Sequence, residues 1–188
     1  MSAPTIRAAT PADGDAILAV TLAAYEQYAA ALPAHWEGYR QNIVATLAAA
    51  APGTQIVAVD GVRVIGAVLL LPAGAAIESP GGRATTLALP EVRLLAVAPS
   101  ARGRGVGAAL MRACIERARA ASAAALTLHT TDFMEAAMRL YGRLGFARAA
   151  ELDFHPAPGI VIKGFRLDLA SAPAAPEPGS RERRLPAS

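Results

Sequence analysis

The sequence predicts a mixed α/β fold, and three observations carry that prediction. Valine- and leucine-rich runs alternate along the chain with segments whose apolar residues recur at helical spacing. Asp60-Gly61 separates two such runs, at 55–60 and 62–71, and is a two-residue hairpin signal that pairs them antiparallel. A longer strand-like run at 86–98 feeds a glycine-rich stretch and then a long helical pattern.

Taken in order, a short strand at 4–9 precedes Thr10-Pro11-Ala12-Asp13, where Thr10 caps a helix, Pro11 fits its first turn and Asp13 completes the box. That helix carries Ile17, Leu18, Leu22 and Tyr25, and a second helix is expected over 35–50 after the break at Pro33. The 75–83 segment, with Ser79-Pro80-Gly81-Gly82, reads as a loop by composition. Beyond the glycine stretch, a helix to about residue 120 sets Val106, Leu110, Ala113 and Cys114 inward and Arg112, Glu116 and Arg119 to water. A strand at 126–129 follows. Asp132 with Glu135 reads as the capping box of a helix bearing Met134, Ala137, Met138 and Tyr141, which Gly145 stops. A last strand pair is expected at 146–154 and 160–169, and the Pro/Ala-rich and charged residues 171–188 read as a disordered tail after one domain at 1–170.

Composition excludes several classes of function. The 188 residues hold one domain with a substantial core but not two. Net charge is +3, and Arg181, Arg183 and Arg184 against Glu177 and Glu182 place one of those charges in the tail, so nothing calls for nucleic acid. Cys114 is the only cysteine, which rules out an internal disulfide or a cysteine-built zinc site; no metal is expected. The longest uncharged apolar stretch, 65–77, is broken by Pro72 and falls short of the roughly 18 residues of a membrane span. No signal sequence is evident, so the expectation is a cytoplasmic protein without membrane partners.

The informative stretch is 94–119. Unpaired N–H groups and the positive dipole end of a helix suit a phosphate, and Gly103, Gly105 and Gly107 let one approach without Cβ clashes while Arg102 and Arg104 add charge. Gly103-x-Gly105-x-x-Ala108 also matches a dinucleotide fingerprint, but Pro99 to Arg102 separate it from the strand and the next strand ends at His129, not at an acidic residue. No Gly-Lys-Ser/Thr phosphate loop occurs.

Leu94-Leu95-Ala96-Val97-x-Pro99-x-x-Arg102-Gly103-x-Gly105-Val106-Gly107 resembles the acyl-CoA signature of the GNAT acetyltransferase superfamily. Ile6-Arg7-x-Ala9-Thr10-x-x-Asp13 resembles its opening strand and turn, and Ala137-x-x-Leu140-Tyr141-x-x-Leu144-Gly145-Phe146 its final helix motif. Met134 stands where the family often has asparagine. The resemblance implies a mostly antiparallel mixed sheet of about seven strands with about four helices, splayed between the fourth and fifth strands. It also implies acetyl-CoA as cosubstrate, its pantetheine on backbone near Leu95 and Val97 and its pyrophosphate on Arg102, Gly103, Arg104, Gly105, Val106, Gly107 and Ala108. The implied activity is transfer of an acetyl group to a primary amine of a small molecule or protein; a non-catalytic acyl-CoA-binding or sensing module is the alternative.

An amine of lysine-like pKa near 10.4 is about 99.9% protonated at neutral pH and cannot attack a thioester, so a base is required. By the resemblance, Glu91 is the candidate, near the start of the fourth strand where family members including the histone-modifying branch place a catalytic glutamate; strand alternation sets it with Arg93, Leu95 and Val97 on one face unless a bulge intervenes. An ion pair with Arg93 is the structural account of the same residue. His129 and His155 rank lower as bases, since a strand end and a loop account for them. By the resemblance, Tyr141 protonates the departing thiolate, and a backbone N–H near Val97 serves the oxyanion. Tyr25, Tyr28, Trp36, Tyr39 and His155 are candidates for the acceptor site, and core packing or a homodimer contact accounts for such aromatics equally well.

Overall fold

The computed structural model describes residues 3–51, 53–79, 83–157 and 160–169. Among them, ten strands and four α-helices succeed one another as β1 (Thr5–Ala8), α1 (Gly14–Tyr25), α2 (Trp36–Ala48), β2 (Gln55–Asp60), β3 (Arg63–Leu71), β4 (Ala76–Ser79), β5 (Arg83–Thr86), β6 (Glu91–Val97), α3 (Val106–Ala120), β7 (Ala125–Thr130), α4 (Glu135–Arg143), β8 (Ala147–Arg148), β9 (Phe154–Ala157) and β10 (Ile160–Asp168). The main sheet runs β1-β2-β3-β6-β7-β10-β8, with β9 on β10, and β4–β5 form a separate hairpin. The β6–β7 pairing is parallel and the other described pairings are antiparallel. This is the expected mixed α/β sheet.

Local chemistry explains where the elements start. The Asp13 carboxylate accepts the Thr10 N–H at 2.7 Å and the Thr10 hydroxyl at 2.8 Å, and it receives both terminal nitrogens of Arg7 at 2.7 and 2.8 Å. One buried carboxylate thus ties β1 to the entrance of α1, through a short 3-10 turn at Pro11–Asp13. Gly61 turns the β2–β3 hairpin at φ +61°, where a β-carbon would be strained.

The sheet is covered on both faces. A β-carbon at Gly66 would touch Val106 and Leu110 of α3, whereas Ala96 on the adjoining strand is buried with Ala24 and Tyr25 of α1 and Ile43 of α2. The larger cluster joins Ile56, Val57, Ile65 and Val68 to Leu110, Met111, Cys114 and Ile115, as the helical period of 106–120 predicts.

Four expectations are corrected. Residues 75–83 contribute to the β4–β5 hairpin and not to a loop alone, and the single strand expected at 86–98 is divided, with β6 beginning only at Glu91. Asp132 does not cap α4: Met134 holds the cap position, and Asp132 takes the Lys163 ammonium on β10. The strand expected at 146–154 is interrupted by a 3-10 turn at Ala150–Leu152. Gly164 explains that interruption, because a β-carbon there would lie 2.9 Å from the Ala149 carbonyl oxygen; its own N–H donates to Asp153 at 2.9 Å. The short strands raise the number above seven, while the four helices match. The expected tail at 171–188 lies outside the described residues.

Asp13→Asn should lower Tm by roughly 3–6 °C at pH 7, the scale of losing charge-assisted hydrogen bonds in a domain of this size. The hydrogen bond from Arg7, then those from Thr10, hold the Asp13 carboxyl well below the ordinary value of 3.8. Its stabilisation is therefore complete above about pH 4 and is lost as pH falls through the depressed folded value, so the Tm difference must narrow in acid. A pH-independent difference in calorimetric scans would refute this account.

Candidate active site

The site begins with a missing hydrogen-bond ladder. β6 meets β7 in register only at Glu91↔Thr127 and Val92↔Leu128, after which the two strands part. On its other edge, β6 pairs with β3 at Leu69↔Arg93 and Ala67↔Ala96, two residues of β3 against three of β6, which is a bulge. Leu94 absorbs it at φ +51°, an uncommon conformation for a non-glycine residue. The bulge changes the phase of the strand. Glu91, Arg93 and Leu94 turn toward the α1–α2 face, where Leu94 packs with the tyrosine cluster, while Leu95 packs with the α3 side and Val97 Cγ2 lies 3.5 Å from a β-carbon built on Gly107. The expectation of Glu91, Arg93, Leu95 and Val97 on one face is therefore corrected.

The bulge and the splay together free a backbone donor. Ala98 N–H bonds the Ile65 carbonyl at 2.9 Å, so in the alternating antiparallel ladder the neighbouring Gly66↔Val97 pair is the non-hydrogen-bonded kind. Val97 N–H consequently points away from β3, into the gap where β7 supplies no register partner.

Past Pro99, the chain turns through Gly103 at φ +75° and Gly105 at φ +77°, and Gly105 caps the fifteen-residue α3. Nothing lies within 4 Å of a β-carbon built on either glycine, so the first-turn amides of α3 open onto clear space. The flanking cations hold the loop from two sides. Arg102 donates to the Ala24 carbonyl at 3.1 Å, and Arg104 pairs with Asp60 of the β2–β3 hairpin at 2.8 Å. Val106 is buried in the core, while Gly107 and Ala108 are half-buried in the first turn.

Glu91 is buried, with Oε2 at 3.3 Å from His129 Nδ1 and Oε1 at 3.7 Å from Arg93 Nε. His129 Nε2 lies 3.0 Å from the Leu152 carbonyl oxygen and must donate to it. A neutral imidazole has a single N–H, so Nδ1 would then turn a lone pair on the carboxylate; the imidazolium satisfies both partners. Burial works against that charge, and the hydrogen bond and charge of Glu91 together with the Leu152 carbonyl outweigh it despite Arg93, so the His129 pKa is raised. The ring also packs edge-on against Phe154 at 5.3 Å.

Tyr141 is buried in α4 against Phe146, and burial holds its phenol well above the ordinary value. Tyr25, Tyr28, Trp36 and Tyr39 form one aromatic wall, with Tyr25 about 6 Å from both Tyr28 and Tyr39 and Trp36 beside Tyr39. Phe133 extends it at 5.5 Å from Tyr28. Burial, reinforced by Tyr28, pushes the Tyr39 phenol up to about 12. His155 stands apart, exposed on β9; its neighbour Phe154 is the residue that reaches the site. Sequence reading ranked His129 low and gave Arg93, Phe133 and Phe154 no role at the site. A histidine two residues beyond the β7 partner of Glu91 was the available signal for the first. Among the described residues no group of three metal-ligating side chains forms, and no helix is long and apolar enough to cross a membrane.

A model of the acetyltransferase (GNAT) family matches residues 21–146, and the chain belongs to that family. No curated protein matches the chain. Among solved structures, a Corynebacterium glutamicum protein described as histone acetyltransferase HPA2 and related acetyltransferase is 25% identical, with a TM-score of 0.63 over 93% of this chain and 100% of that one. A Brucella melitensis GNAT-family acetyltransferase in complex with acetyl-CoA is 22% identical, with a TM-score of 0.55 over 89% of each chain. Salmonella typhimurium yncA, solved with its cofactor acetyl-CoA, is 22% identical, with a TM-score of 0.57 over 95% of this chain and 100% of that one.

If the first turn of α3 holds a phosphate, Gly105→Asp and Gly107→Glu should each weaken CoA binding by at least about 10²-fold, since both bring negative charge to the anion. Gly107→Glu should fold, because a β-carbon there makes ordinary contacts with Leu140 and Val97; Gly105→Asp carries the strain of a side chain at φ +77°, so its thermal unfolding is measured beside its affinity. Near-native CoA affinity by calorimetry in either folded variant would exclude this loop as the phosphate site.

Proposed function

We propose that this protein is an N-acetyltransferase that moves the acetyl group of acetyl-CoA to a primary amine by direct attack on the thioester. The observation that carries the reading is the alignment of three features along one stretch of chain: a carboxylate at the start of β6, a Val97 N–H turned into the gap at its end, and the open glycine loop beyond. Family membership and the acetyl-CoA complexes of the Brucella and Salmonella proteins support it. The cytosol, where acetyl-CoA and a reduced Cys114 coexist, is the compartment that fits.

Each chain group then has a role. Backbone N–H groups of residues 103–108 take the pyrophosphate, with Arg102 and Arg104 at the flanks, and pantetheine lies along Leu95 and Val97 in the gap. The hydroxyls of Thr130 and Thr131, buried without partners at the end of β7, are available for the polar contact that Met134 cannot make. The amine nitrogen bonds the acetyl carbon, and Val97 N–H receives the oxyanion. The ammonium proton goes to Glu91 through water, since Glu91 and Val97 stand at opposite ends of β6, and the C–S electron pair leaves on sulfur. Tyr141 donates a hydrogen bond to that thiolate and does not surrender its proton. Full transfer would run uphill, because an ordinary thiol near 8.5 is a stronger acid than a phenol held above 10.

Thiol release with a panel of amines tests the activity. Glu91→Gln should lower kcat/KM by about 10²-fold, most steeply at low pH where little free amine exists, with acetyl-CoA affinity little changed. An unchanged pH–rate profile would leave Glu91 a structural ion-pair partner. Tyr141→Phe should lower kcat by about 10- to 10²-fold, the scale of a hydrogen bond to a charged group. Full activity would assign the ring to packing alone.

A further inference from the structure

The acceptor space carries an unbalanced charge. His129 reaches it from β7, Arg93 and Glu91 from β6, and Arg102 stands at its edge on the Ala24 carbonyl. The tyrosine phenols that face it from α1, α2 and α4 are held neutral by burial. The single carboxylate of Glu91 therefore faces both the Arg93 guanidinium and the His129 ring, with the Arg102 guanidinium at the edge of the same space. It gives the closer contact to His129, and it meets Arg93 only at 3.7 Å through Nε. Among the described residues Arg93 has no other carboxylate partner, and its side chain is 31% exposed on the aromatic side, where its charge bears on the phenols of Tyr25 and Tyr39.

Resting on the acetyltransferase reading, we propose that Arg93 is the anchor for a carboxylate on the acceptor, which makes the acceptor class an α-amino acid with an apolar or aromatic side chain. A plain ammonium entering this space meets more positive than negative charge. An amino acid brings the compensating carboxylate, and guanidinium is the side chain that matches it, with two parallel N–H donors. The two halves of the acceptor fit the strand. Arg93 lies on β6 between Glu91 and Val97, so a carboxylate on Arg93 leaves the adjoining α-amine in the gap on the Val97 side, with water bridging it to Glu91. The side chain is then left against Tyr28, Trp36, Tyr39 and Phe133, an apolar wall that carries no charge of its own.

The test uses the full chain and follows CoA release with L-phenylalanine, L-leucine and L-methionine, each beside its amide and its decarboxylated amine. The amino acids should exceed both controls in kcat/KM by at least about tenfold, the scale of one charge-assisted contact. Arg93→Gln should erase that preference, bringing the three acceptor types to within about threefold of one another, and Arg93→Lys should restore part of it. Equal use of amides or amines by the native protein, or a preference that survives Arg93→Gln, overturns the assignment. Calorimetry of L-phenylalanine into protein saturated with CoA reads the same contact without turnover. Binding that is lost with phenylalaninamide and in Arg93→Gln supports the anchor. If CoA binds and L-phenylalanine does not, the anchor is overturned while the acyl-CoA reading stands; if CoA does not bind, both fall.

Discussion

The parting of β6 from β7 is the constraint on which the rest of this structure depends. A parallel pair normally continues its ladder for the length of the strands, and leaving backbone groups unpaired inside a protein is costly. Here the ladder stops after Val92, and the bulge at Leu94 makes the departure permanent by giving β6 one residue more than β3 can match. Everything chemical follows from that extra residue. It sends Arg93 and Leu94 to the same face, turns Leu95 and Val97 to the other, and leaves the Val97 amide looking into a gap. A strained φ at Leu94 is tolerable because the strand is held on one edge by β3 and on both faces by helices.

The second constraint is the buried charge that the splay admits. Glu91 at the root of the gap is nearly closed to water, and a lone carboxylate in such a place would take up a proton. His129 Nδ1 faces that carboxylate at 3.3 Å while its far nitrogen is committed to the Leu152 carbonyl. That carbonyl is available because Gly164 lets the Ala150–Leu152 turn press onto β10. A glycine in one strand, a turn outside the sheet and a histidine in the next strand thus set the surroundings of a carboxylate two strands away. The chain of contacts is short and steric at each step.

Local signals were legible in the sequence and tertiary ones were not. Asp60-Gly61 and Gly103-x-Gly105 declare themselves because a positive φ favours glycine whatever the rest of the chain does. Thr10-x-x-Asp13 declares itself because its partners are three residues apart. Asp132 misled, since capping and a cross-strand ion pair use the same residue type and distance in sequence cannot separate them. The interruption of 146–154 was hidden because its cause, Gly164, lies on another strand. The bulge at Leu94 has no glycine to announce it, so the faces of Leu95 and Val97 were read in the wrong phase. At the site, Glu91 and the glycine loop could be singled out from sequence, while the contact of Glu91 with His129 and the half-buried guanidinium of Arg93 required the fold.

Binding and chemistry make opposite demands on the charges here, and the fold separates them in space. An anion-binding loop needs positive potential, supplied at the α3 N-terminus by unpaired amides, with Arg102 and Arg104 tied to Ala24 and Asp60 on either side. Deprotonating an amine needs a negative group, and a carboxylate placed beside that loop would repel the phosphates. The length of β6, six rises or at most about 20 Å from Glu91 to Val97, keeps the two apart. The proposed mechanism sets the thioester between them, near the Val97 amide, in the segment of the strand that carries no charged side chain. On the proposed mechanism, position along one strand sorts phosphate recognition, oxyanion stabilisation and proton removal, and the splay opens all three onto the same gap.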